Sequence, residues 1–144
     1  MKTAIIFFTL IFICNLEAYS QVSSDVFSYD HSQEMPKFPG GDDSIWCVLE
    51  RNFRYDILNS DKKTITFHIA FLIDTDGVSK KFKCLGTIPR DLTLNHTDSL
   101  KLNEIFRVLA LLPKWVPAKQ IEKAVPSWFY IPVKTPYRDF RCIK

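Results

Sequence analysis

Apolar and polar residues alternate from residue 64 to residue 74. Ile65, Phe67, Ile69, Phe71 and Ile73 share one side; Thr64, Thr66, His68 and Ala70 share the other. A period of two turns one side of an extended strand to a core and the other to water. Asp74-Thr75-Asp76-Gly77 follows, and a second extended run covers residues 78–85. An Asp-Gly pair between two such runs predicts a β-hairpin. In the second run Lys80, Lys81 and Lys83 read as the wet side, and Cys84 has inward parity. Upstream, Ile45, Val48, Leu49 and Phe53 recur at helical spacing, which predicts a short amphipathic helix over residues 42–54. Asp42 and Asp43 offer it an N-cap and favourable charge. Downstream, Leu102, Ile105, Phe106, Leu109 and Leu112 line a second helix. Thr97, Asp98 or Ser99 can cap it, and Pro113 stops it. Trp115, between Pro113 and Pro117, is expected to plug the end of the core. Residues 125–133 read as a third strand, with Val125, Phe129, Ile131 and Val133 inward and Trp128 and Tyr130 outward.

The resulting order, helix, two hairpin strands, helix, strand, predicts an α+β two-layer sandwich. Its three-stranded antiparallel sheet has the order 2-1-3, with both helices on one face. The third strand carries a further signal. Along an antiparallel strand, the N–H and C=O of one residue point to the same neighbour, and the side alternates. Pro126 and Pro132 have the same parity, so both missing donors fall on one side of the strand. Proline is accepted where that side has no partner, which predicts a sheet edge guarded at both ends. Trp128 and Tyr130 share this parity and keep their N–H groups.

The ends and the composition narrow the picture. Residues 1–20 have a charged start at Lys2 and an apolar run over residues 4–14. Ala18-Tyr19-Ser20 has small residues suited to a cut before Gln21. The run is shorter than the roughly 20 residues of a spanning helix, so a signal peptide is expected rather than an anchor. Residues 21–34 are polar, without hydrophobic period, and read as a flexible leader. Met35-Pro36-Lys37-Phe38-Pro39-Gly40-Gly41 is a stiff-then-loose entry to a single domain over residues 35–137, with a tail over residues 138–144. The formal net charge of +3 is scattered, with no basic stripe, which argues against nucleic-acid binding. Cys47, Cys84 and Cys142 survive processing, and export to an oxidising compartment allows one disulfide. Cys47 and Cys142 are the better candidates, though spacing alone leaves the pairing open. No zinc spacing, nucleophile motif or phosphate loop is present, and no cofactor, metal or catalytic residue is expected. His31, His68 and His96 read as surface histidines. The Asp74-to-Gly77 turn lacks the remaining ligands of a calcium loop.

Residues 35–41, the helix from Ser44 to Arg54 followed by Tyr55, the strand and turn of residues 71–77, and the Leu112-Pro113-Lys114-Trp115-Val116-Pro117 corner with Ile131-Pro132-Val133 together carry a resemblance. The chain resembles the TonB/TolA C-terminal domains, in the short form headed by Pro-x-Phe-Pro-Gly-Gly, over about residues 35–137. Pro39, Gly40, Gly41, Gly77, Pro113, Trp115 and Pro117 would be its structural positions. The resemblance implies a non-enzymatic periplasmic domain, associated with the outer membrane through its partner. It would add an extended segment of a TonB-dependent outer-membrane transporter, or of another envelope protein, as a strand to its own sheet. The contacting edge would comprise Val125, Ser127, Trp128, Phe129, Tyr130, Ile131 and Val133. A second reading is an envelope assembly module that homodimerises through the same edge. The leader would reach roughly 50 Å fully extended, too little for a transducer that spans the periplasm alone. The chain also departs from the family in the Glu122-Lys123-Ala124 turn and in lacking a glycine before the first strand.

Overall fold

A computed structural model describes residues 34–138 and residue 142. Residues 1–33, which include the expected signal peptide and most of the expected leader, and residues 139–141 and 143–144 lie outside the described residues. The chain forms helix α1 (Asp42–Asn52), a single-turn helix α2 (Tyr55–Leu58), strands β1 (Ile65–Ile73) and β2 (Ser79–Ile88), helix α3 (His96–Leu109), short strands β3 (Ala118–Gln120) and β4 (Lys123–Val125), and strand β5 (Ser127–Thr135). The three long strands make one antiparallel sheet in the order β2-β1-β5. The architecture is α+β, with the central strand first in sequence among the sheet strands.

Several boundaries differ from the sequence reading. Gly41, with positive φ, is the N-cap of α1, and Asp42 and Asp43 lie in its first turn. Asn95 caps α3 through a reciprocal capping box with Asp98, so the cap precedes Thr97. The third long strand starts at Ser127, because Val125 pairs with Ala118 in the β3-β4 hairpin. That hairpin turns at Ile121 and Glu122, both with positive φ and neither a residue that advertises such a turn. Glu34 is not part of a loose leader: it exchanges backbone hydrogen bonds with Lys119, at 3.1 and 3.0 Å. Lys37 does the same with Val116.

The inward row of β1, Ile65, Phe67, Ile69, Phe71 and Ile73, is fully buried. It shares one core with Ile45 and Leu49 of α1, Phe53 just after it, Leu58 of α2, and Ile105, Val108 and Leu109 of α3. An aromatic group closes one end. Trp115 packs against Phe129 at 4.8 Å, Phe38 at 4.9 Å and Phe71 at 5.9 Å between ring centroids. The Trp115 N–H donates to the Gly77 carbonyl at 2.9 Å, joining the corner after α3 to the β1-β2 turn. Gly77 has φ +79°, and a Cβ there would overlap the Trp115 carbonyl oxygen. Both the backbone conformation and the space therefore require glycine.

Charged groups fasten α3 to the segment before β1 and to the connection between α1 and α2. Asp98 is buried in α3 and accepts from Lys63 Nζ at 2.8 Å, while Lys101, also buried, donates to Asp61 at 2.6 Å. Glu104 accepts from the Arg54 N–H at 2.9 Å and from the Arg107 guanidinium at 2.6 and 2.8 Å. Burial alone would raise the pKa of Asp98 and of Glu104, but the cations and N–H donors outweigh it, and both are held below ordinary carboxyl values. In the middle of α1, Cys47 forms a disulfide with Cys142, their Cα atoms 5.2 Å apart. Buried Glu50 accepts from the Tyr137 hydroxyl at 3.1 Å and the Cys142 N–H at 2.9 Å. Cys84 is a free, half-buried thiol packed against the core.

Two outcomes are expected. Gly77→Ala should lower unfolding free energy by about 3 kcal/mol in urea titrations, from forced positive φ plus the clash. Because the folded Asp98 and Glu104 values lie below the unfolded ones near about 4, their stabilisation is complete above that range. It is lost as pH falls through the folded values. Asp98→Asn should flatten the decline of unfolding free energy below about pH 4 relative to the parent chain.

Candidate functional site

The hydrogen-bond phase of the sheet decides what its edge presents. The Asp74 N–H donates to the Val78 carbonyl at 3.1 Å, so the backbone groups of Asp74 face β2. Alternation along β1 then turns Leu72, Ala70 and His68 toward β2, and Ile73, Phe71, Ile69, Phe67 and Ile65 toward β5. Their β5 partners in register are Ser127, Phe129, Ile131, Val133 and Thr135. These five direct their N–H and C=O groups to β1. Trp128, Tyr130, Pro132 and Lys134 direct theirs away from it. Pro132 therefore removes no ladder bond, and Pro126 stands one residue before the strand. Among the described residues, no strand pairs with β5 on its outward side.

The side chains obey a separate alternation. Ile131 and Val133 point into the core with Phe129 at its margin, whereas Trp128 is half-buried and Tyr130 is 52 % exposed on the opposite face. Lys83 Nζ stands 4.9 Å from the Trp128 ring centroid, a cation–π contact across the sheet. Lys80 bridges the acidic turn, 2.6 Å from Asp74 and 3.8 Å from Asp76. Its hydrogen bond holds the Asp74 carboxyl below, and the Lys80 ammonium above, their ordinary ranges. The two turn acids are thus engaged by a lysine. Of the other expected edge residues, Val125 lies in β4, one residue beyond Pro126 from the edge strand.

The positions read as structural are distributed around the entry and the corner. Gly40 and Gly41 have positive φ before α1, where Pro39 turns the chain. Pro113 follows α3 by four residues, and Pro117 precedes β3. His68 and His96 are exposed, on β1 and at the start of α3, and His31 lies outside the described residues. Among the described residues, no group of three His, Cys, Asp or Glu is arranged to hold a metal. No described helix is long and apolar enough to cross a membrane. Cys142 is bonded to Cys47 of α1.

The sequence reading missed two bulges in β2. Ala70 and Leu72 pair with Lys83 and Lys80, so Lys81 and Phe82 together oppose one residue, and Lys81 takes φ +52°. A second shift between Gly86 and Cys84 adds Leu85. The only local signal was the interrupted alternation after Lys80. No family model, curated protein or solved structure matches the chain.

The phase argument makes a sharp contrast between adjacent positions. Lys134→Pro should cost less than about 1 kcal/mol in unfolding free energy, because its N–H points outward. Val133→Pro should cost about 3 kcal/mol or more, since a ladder bond and a buried valine are both lost.

Proposed function

We propose that this chain is an exported TonB C-terminal-like domain that binds an extended segment of another envelope protein by strand addition. Its partner class would be the TonB-dependent outer-membrane transporters, and its compartment the periplasm. The observation that carries this reading is the phase of β5: Pro132 occupies an outward position, and Trp128 and Lys134 direct their N–H groups the same way. An incoming antiparallel or parallel strand would exchange backbone hydrogen bonds with that side, which supplies affinity. Trp128 would supply side-chain contact, since a large aromatic ring anchors binding at little entropic cost. The arrangement of helices and sheet supports the same reading, because the core leaves β5 at the margin rather than under a helix. The edge reading needs no catalytic group, metal or cofactor.

The test is an amide NMR titration with extended N-terminal peptides of co-expressed outer-membrane transporters. Saturable shifts centred on residues 127–135 are expected, and Trp128→Ala should weaken the interaction tenfold or more. An absence of shifts, with β5 amides that respond instead to protein concentration, would support self-pairing through the edge and overturn the transporter assignment.

A further inference from the structure

The sheet has one face against the helices and one that they do not cover. On that second face the register aligns side chains in rows: Lys80, Leu72 and Trp128; Lys83, Ala70 and Tyr130; Gly86, His68 and Pro132. The two β2 bulges keep Lys80, Lys83 and Gly86 in step with this face. Three adjoining hollows run along it. The first is lined by Leu72, Asp74, Lys80, Lys81, Lys83, Pro126 and Trp128. The second, which shares Lys83 and Trp128, adds Ala70, Leu85 and Tyr130. The third shares Leu85 and extends to His68, Ile88 and Arg90. The result is a shallow trough with an apolar floor and a basic rim. Leu85 is 61 % exposed and Ile88 54 % exposed on it, although each is a residue that burial would stabilise. Asp74 is the acid that lines it, and that acid is engaged by Lys80.

We propose that residues 21–33 of this same chain dock across this trough. Their chemistry is complementary to it. They carry Asp25 and Asp30 and no lysine or arginine, and they interleave these acids with Val22, Val26, Phe27 and Tyr29. The acids match the rim of Lys81, Lys83 and Arg90, and the apolar residues match the floor of Ala70, Leu72, Leu85 and Trp128. The attachment point also fits. Glu34 is pinned to Lys119 in β3, Lys119 pairs with Ala124 in β4, and β5 begins three residues after Ala124. Thirteen residues extend up to about 45 Å. The trough, measured along the six-residue step from Trp128 to Lys134, is roughly 20 Å long. Tethering at this distance makes the encounter intramolecular, so even a weak contact is populated. The inference concerns the face of the sheet rather than its edge, and it stands whether or not β5 adds a partner strand.

The test uses the whole protein, labelled for NMR, with the first substitutions placed in residues 21–33. Asp25→Lys with Asp30→Lys removes the charge match, and Phe27→Ser with Tyr29→Ser removes the apolar one. In both variants the signals of Ala70, Lys83, Leu85 and the Trp128 indole should move, independently of protein concentration. Those of Leu49, Leu58 and Ile105 in the core should not. Adding Lys83→Glu to the charge-reversed variant should move the Ala70 and Leu85 signals back toward the parent positions. Unchanged trough signals in both variants would overturn the proposal. Shifts that disappear on dilution would overturn it too, because they would identify a second copy as the occupant.

Discussion

A single turn sets the hydrogen-bond phase of the whole sheet. Asp74 closes onto Val78, and this fixes which β1 groups face β2 and which face β5. Since β1 is central, the same choice decides which β5 amides are spent on the ladder and which point outward. A shift of one residue would turn Pro132 toward β1 and exchange the buried and exposed rows of β5. Gly77 makes the turn possible by adopting φ +79° and by leaving room for the Trp115 backbone. The turn, the corner after α3 and the edge strand are therefore one mechanical unit. Trp115 joins them by hydrogen-bonding to Gly77 through its backbone N–H while its ring packs at a tilt against Phe129 of β5.

The rest of the molecule holds that unit in place. The core supplies the nonspecific part, with five β1 side chains packed under three helices. Direction comes from the buried charges. Asp98 and Lys101 on one side of α3, and Glu104 with Arg107, bind to groups before β1 and after α1, so α3 can dock in only one rotation. Such pairs add less to stability than their geometry suggests, because removing charge from water is costly. Their effect is to fix orientation. The Cys47–Cys142 disulfide and the Glu50 hydrogen bonds do the same for Tyr137 and Cys142, and β5 lies at the sheet margin.

Much of this was legible in the residues. The alternation of residues 64–74 gave the central strand, because a strand buried on one face writes a period of two directly into its sequence. The Asp-Gly turn gave the hairpin, and the parity of Pro126 and Pro132 gave the edge. Other features left no local trace. Ile121 and Glu122 form a tight turn in a backbone conformation that their side chains disfavour, so the short β3-β4 hairpin follows from the tertiary pairing of Lys119 with Glu34. The bulges in β2 broke a pattern that assumes one residue per step, which hid the exposed positions of Leu85 and Ile88. The buried Glu50 lies on the helix face expected to be wet, and its carboxylate accepts from the distant Tyr137 hydroxyl and Cys142 N–H, which no local pattern announces. The binding role is less legible still, since an edge strand records the absence of a neighbour and not its identity.

The central claim is that β5 keeps one set of amides on the ladder and turns the other set outward. Native-state hydrogen exchange on the protein alone measures this most directly. The amides of Phe129, Ile131 and Val133 should exchange slowly, with protection near that of the β1 core, while Trp128 and Lys134 should exchange orders of magnitude faster. Equal, strong protection of Trp128 and Phe129 would mean that another strand already occupies the outward side, and would contradict the account.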